Sequence, residues 1–218
     1  SLRRRQRQMC IRDSAQTHTA PTGSRQPGIA RLGAIYGLYG LGYIIPATFL
    51  SQMANARFHG QWQADLFWPA FGLCAAIGVV LISFRRPRPA TTRFWLMGGL
   101  WVQALGVLAC LLPSSTGLAL GVILCGTPFL ACMPLVMQRS RDLVPHATAR
   151  NAALLTACFA VGQLSGPLLA ALSSYFSGGL QPARIIAASG LLLAGMLAWT
   201  SVSSPAERAL CDAPTVQR

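Results

Sequence analysis

Lysine is absent from this 218-residue chain, and acids are nearly so. Its 18 basic residues are all arginine, set against Asp13, Asp65, Asp142, Glu207 and Asp212. Charged residues make up 11% of the sequence, where soluble domains carry roughly 25%. So few charges cannot cover the surface of a water-soluble domain of this size, and 53% apolar residues exclude a disordered chain. Cysteine pairs of the C-x-x-C kind are missing as well. Five of the seven cysteines, Cys74, Cys110, Cys125, Cys132 and Cys158, sit inside apolar runs, and only Cys10 and Cys211 lie outside them. That placement suits small packing residues, not a disulfide framework or a zinc site. No metal or cofactor is expected.

The long apolar runs contain no Asp, Glu, Arg or His. This excludes a membrane-embedded proton site of the carboxylate type. His18, His59 and His146 all fall outside the runs, so Ser165 has no helical histidine to activate it, and a six-helix membrane protease is disfavoured. With no phosphate-binding loop and no H-E-x-x-H, the chain shows no enzyme signature. A net charge of +13 could suggest nucleic acid. The arginines fall between apolar runs instead of forming one basic face, which argues against that partner.

What is present is six apolar segments, near residues 32–53, 66–84, 94–112, 117–137, 152–173 and 185–202. Each is close to the ~20 residues that cross a bilayer core, where a backbone without water must bond to itself as a helix. The sequence therefore predicts an all-α membrane protein with six transmembrane helices. Sixteen arginines flank one side of these segments and only Arg57 and Arg184 the other, which places both termini in the cytoplasm. Trp62, Trp68, Trp95 and Trp199 stand at interfacial positions, while Trp101 lies deeper and is expected to pack. The organisation expected is a basic, polar segment over 1–30, disordered and partly non-native in its opening string; a six-helix bundle over 31–203; and a cytoplasmic tail over 204–218. A basic arm that binds anionic lipid is the competing view of the first segment.

The first segment repeats glycine at positions 33, 37 and 40, a smooth face for a neighbouring helix. Tyr36, Tyr39 and Tyr43 share another face, and Pro46 removes a helical hydrogen bond midway. Such a helix either lines a cavity and moves or packs a tyrosine stripe against its neighbours. The fifth segment has Gly162 and Gly166 in G-x-x-x-G spacing followed by Pro167, with Thr156, Phe159 and Gln163 in line on one face. Gln163 reads as the least ambiguous buried polar group, bonded either to a neighbouring helix or to a transported ligand. Pro128 and Pro134 make the fourth segment irregular, and Gln103 in the third is weaker evidence for a cavity.

The runs YGLYGLGYIIPATFLSQMA, WPAFGL, FWLMGGLWVQALGVLACLLP, CGTPFLACMPLVMQ and TACFAVGQLSGPLLA resemble successive motifs of the YbfB/YjiJ-like branch of the major facilitator superfamily. The resemblance runs from about residue 31 to 199 and is to the second half of such transporters. It implies one half of a twelve-helix fold, built as two inverted three-helix repeats, in a bacterial inner membrane. It also implies a missing N-terminal six-helix half and a truncated reading frame. Under it, the first, second, fourth and fifth helices line the cavity while the third and sixth face lipid. Gln103 then recedes, and Tyr36, Tyr39, Tyr43, Thr156, Phe159 and Gln163 become the candidate substrate-binding residues. The expected activity is secondary transport of a small organic solute by alternating access. A self-standing six-helix protein acting as a homodimeric transporter or scaffold is the alternative.

Overall fold

Each apolar run becomes one helix in the computed structural model, which describes residues 27–59 and 61–201. The helices are α1 (Pro27–Phe58), α2 (Phe67–Arg85), α3 (Pro89–Ala109), α4 (Ser115–Leu143), α5 (Thr148–Ser177) and α6 (Gln181–Trp199). Short 3-10 turns at Trp62–Leu66 and Pro145–Ala147 lead into α2 and α5, and the described residues contain no strand. The tail over 204–218 and the N-terminal residues up to 26 lie outside the described residues. The boundary expected at residue 30 falls inside α1, which opens on Pro27 where a missing N–H costs nothing.

Five of the six helices are long and apolar enough to cross a membrane. The exception is α3. Its opening turns carry Thr91, Thr92 and Arg93, and it ends at Ala109, leaving Leu111 and Leu112 of the apolar run beyond it. Outward-facing Leu73, Ile77 and Phe84 of α2, and Val161, Leu164 and Leu168 of α5, leave both helices apolar on their uncovered sides. A face of that kind is suited to hydrocarbon and not to water.

Local chemistry sets the helix ends. The Ser114 hydroxyl accepts the Gly117 N–H at 3.0 Å and caps α4. Gly178 ends α5 in the left-handed region (φ 68°), the conformation glycine adopts freely. Arg86 ends α2 in the same region (φ 39°) without that freedom. Cross-ties then fix which ends lie together. Gln138 of α4 donates to the Pro87 carbonyl at 3.0 Å, and Arg31 of α1 donates to the Thr200 hydroxyl beyond α6. At the opposite end, Arg184 of α6 donates to the Cys110 carbonyl after α3 at 3.0 Å.

The principal packings are α1 on α5 and α6, α4 on α2 and α3, and α3 on α6, with a smaller contact between α1 and α4. Exchanging α1 with α4, α2 with α5 and α3 with α6 leaves this set unchanged. Leu100, Ala104 and Val107 of α3 and Ala187, Leu191 and Ala194 of α6 are fully enclosed, so these helices supply core on one side and an exposed apolar surface on the other. Trp101 packs as expected: it lies against Gly195 and its indole N–H donates to the Leu192 carbonyl at 3.3 Å.

Two crossings have almost no side-chain padding. A methyl group on Gly162 would run into the Gly37 carbonyl, and one on Gly40 into the Phe159 carbonyl, so α1 and α5 meet backbone to backbone. The α2–α4 crossing repeats the device. A methyl group on Gly78 would run into the Thr127 carbonyl, and one on Gly126 would lie 3.0 Å from the Phe71 carbonyl. Small residues at such positions let helices approach closely in a bilayer.

Candidate functional site

The glycine face of α1 determines where its tyrosines go. With Gly33, Gly37 and Gly40 turned to α5, the Tyr36, Tyr39 and Tyr43 rings project beside the crossing and meet Phe159 of α5. Their centroids lie 4.8, 5.6 and 5.6 Å from that ring. Tyr43 also stacks on Phe129 of α4 at 4.5 Å, and Phe129 reaches Phe71 of α2 at 5.6 Å. Trp68 continues the chain, 5.6 Å from Phe71. These spacings fall in the range at which aromatic pairs attract beyond simple burial. Four helices thus contribute to one aromatic cluster.

Its polar groups are few and uncharged. The Tyr39 hydroxyl donates to the Phe129 carbonyl, which secures the most deeply buried ring of the three (1% exposed). Next to the cluster, Tyr43, Ile44, Ala47, Thr48, Trp68, Phe71 and Phe129 enclose a recess of about 240 Å³. One turn beyond Phe159, Gln163 is half-buried with its backbone against Gly40. Pro167 has no N–H to offer the Gln163 carbonyl four residues earlier. Gln163 therefore combines a side-chain amide with a helical carbonyl that lacks its usual i+4 donor. No side-chain hydrogen bond to Gln163 occurs among the described residues.

Of the six residues picked out by the sequence, Tyr36, Tyr39, Tyr43 and Phe159 come together in mutual ring contact. Gln163 is adjacent along α5 and outside the recess. Thr156 is exposed on α5, one turn before Phe159. Three residues of the cluster, Trp68, Phe71 and Phe129, were not among the expected site residues, and Trp68 was expected as an interfacial anchor. Phe129 is the one aromatic residue of its apolar run, Trp68 and Phe71 share theirs with Phe67 and Phe84, and the available signal was proximity to proline: Trp68 precedes Pro69 and Phe129 follows Pro128.

Gln163 is not the most buried polar group among the described residues. Thr92 and Gln103 of α3 are both 0% exposed, and neither amide atom of Gln103 is bonded among those residues. The reason is the geometry of the crossings. The α3–α4 and α3–α6 contacts close around Gln103, whereas α5 is covered chiefly along the stripe that meets α1. A larger cavity lies elsewhere, between α2, α3 and α4, and contains none of the six residues.

The cluster pairs no nucleophile with a base. Its flat faces, phenol hydroxyls and nearby amide can bind an organic molecule by stacking and neutral hydrogen bonds. A family model described as "Uncharacterised MFS-type transporter YbfB" matches residues 7–199. No curated protein and no solved structure matches the chain.

Proposed function

Because this chain belongs to the YbfB family of MFS-type transporters, a transport family and not an enzymatic one, we propose that it carries a small organic solute through the aromatic site by alternating access. The observation that carries this reading is a coincidence of position. Interior prolines occur in α1 (Pro46), α4 (Pro128, Pro134) and α5 (Pro167), and these three helices bring Tyr43, Phe129 and Phe159 together. Prolines loosen a helix where its hydrogen-bond ladder breaks, and transporter sites form around such interrupted helices. The solute contacts Tyr36, Tyr39 and Tyr43 on one side and Thr156, Phe159 and Gln163 on the other.

We read the chain as all six helices spanning the inner membrane of a bacterium, α3 included, with both termini cytoplasmic, as sixteen arginines against two support. Its symmetric packing supports two inverted three-helix repeats forming one half of a transporter. The other half seats on α2 and α5, the two least covered helices.

The test is uptake of a panel of labelled organic solutes by proteoliposomes holding the full-length protein. Gln163→Leu and Tyr43→Phe should lower the rate with membrane abundance unchanged. Loss of rate and abundance in equal measure would assign both residues to packing and overturn their place in the site. Robust transport by the 218 residues alone would overturn the half-transporter reading.

A further inference from the structure

Between α2 and α3, which do not pack on one another, runs a groove of about 520 Å³ floored by α4. We propose that it holds one anionic phospholipid, with an acyl chain in the groove and the headgroup phosphate on Arg85. The walls are apolar, formed by Leu81 and Ile82 of α2 and Val102 of α3 over Ala131 and Leu135 of α4. Gly78, Gly98 and Gly99 leave them smooth. A space of this size cannot stay empty without losing dispersion contacts along its lining, and water would find few polar partners in it. At membrane depth the molecule at hand is lipid.

The mouth of the groove decides which lipid. Arg85, in the last turn of α2, and Trp95, in the opening turns of α3, both line it at the end where the 86–88 loop connects the two helices. Arginine extends to the interface along its apolar stem and grips phosphate with a two-pronged donor set. Tryptophan ring edges favour the same depth. The loop adds Arg86 and Arg88 to the positive charge there, which selects a net-negative headgroup over a zwitterionic one.

The structure also supplies a clean test position. A Cβ added at Gly98 meets no heavy atom within 4 Å, so a side chain there starts into open groove space, whereas a Cβ at Gly99 would press on the Cys132 sulfur. The experiment is native mass spectrometry of the full-length protein released from micelles holding equal phosphatidylglycerol and phosphatidylcholine. The wild type should retain one phosphatidylglycerol in preference. Arg85→Gln should cut that preference about fivefold, the share of one arginine at an anionic surface. Gly98→Phe should lose both lipids while keeping the wild-type melting temperature in lipid-free detergent. Equal retention of the two lipids, or unchanged retention in either variant, would overturn the proposal. So would displacement of the lipid by millimolar inorganic phosphate, which would mark a free-anion site, or a change of oligomeric state in Gly98→Phe, which would mean that a second copy covers the groove.

Discussion

The carbonyl oxygen of Gly37 occupies the place where a side chain on Gly162 would begin. Neither residue can yield, because both sides of the contact are backbone. Gly162→Ala should therefore cost about 3 kcal/mol, seen as a lower melting temperature in detergent. Gly72 is the control. Nothing lies within 4 Å of its added methyl group, so Gly72→Ala should gain roughly 0.5–1 kcal/mol from the better helix former.

The tyrosines separate by their hydroxyls. Tyr39→Phe removes the bond from the buried phenol to the Phe129 carbonyl and should cost about 1 kcal/mol. Tyr43→Phe should leave thermal stability within roughly 0.5 kcal/mol of the wild type, since its ring contacts survive. Parallel thermal melts of the two variants check the order.

Gln103 is an enclosed amide with both polar atoms unbonded among the described residues. Replacing it by methionine, of similar length and without the desolvation penalty, should stabilise the protein by about 1 kcal/mol. A fall in melting temperature would show instead that the amide is bonded through an enclosed water.

At the end of α2, Arg86 holds a backbone conformation that side chains resist (φ 39°). Arg86→Gly should relieve roughly 1 kcal/mol of that cost. The gain is expected in the melting temperature, while the preference for phosphatidylglycerol should weaken, because Arg86 is part of the positive charge at the groove mouth.

Much of this architecture is legible in the residues, and the limits of that legibility have physical causes. Where each helix lies follows from the apolar runs, since a backbone at membrane depth has no alternative to helical bonding. The ends were less accessible: α1 and α4 continue past their apolar runs to Phe58 and Leu143, because a helix does not stop where hydrocarbon does. Glycine spacing identified the faces of α1 and α5 that meet. It could not say that Gln103 would be sealed in and Gln163 left half-open, which depends on how helices distant in sequence cross. Phe71 and Phe129 were hidden for the same reason, as an aromatic residue in an apolar run looks alike whether it packs on lipid or on a tyrosine.

The unpadded crossings also have a mechanical meaning. Where α1 meets α5, and where α2 meets α4, carbonyls sit in the notches left by glycines, so neither pair can slide without one backbone climbing over the other. Each pair is keyed like a shaft in a slot and must travel as a single rod. Bending is left to the points where proline interrupts α1, α4 and α5, and those points flank the aromatic cluster. Stiff pairs with compliant joints beside the aromatic cluster suit the proposed transport cycle, in which a movement at one end of the bundle is carried to the other.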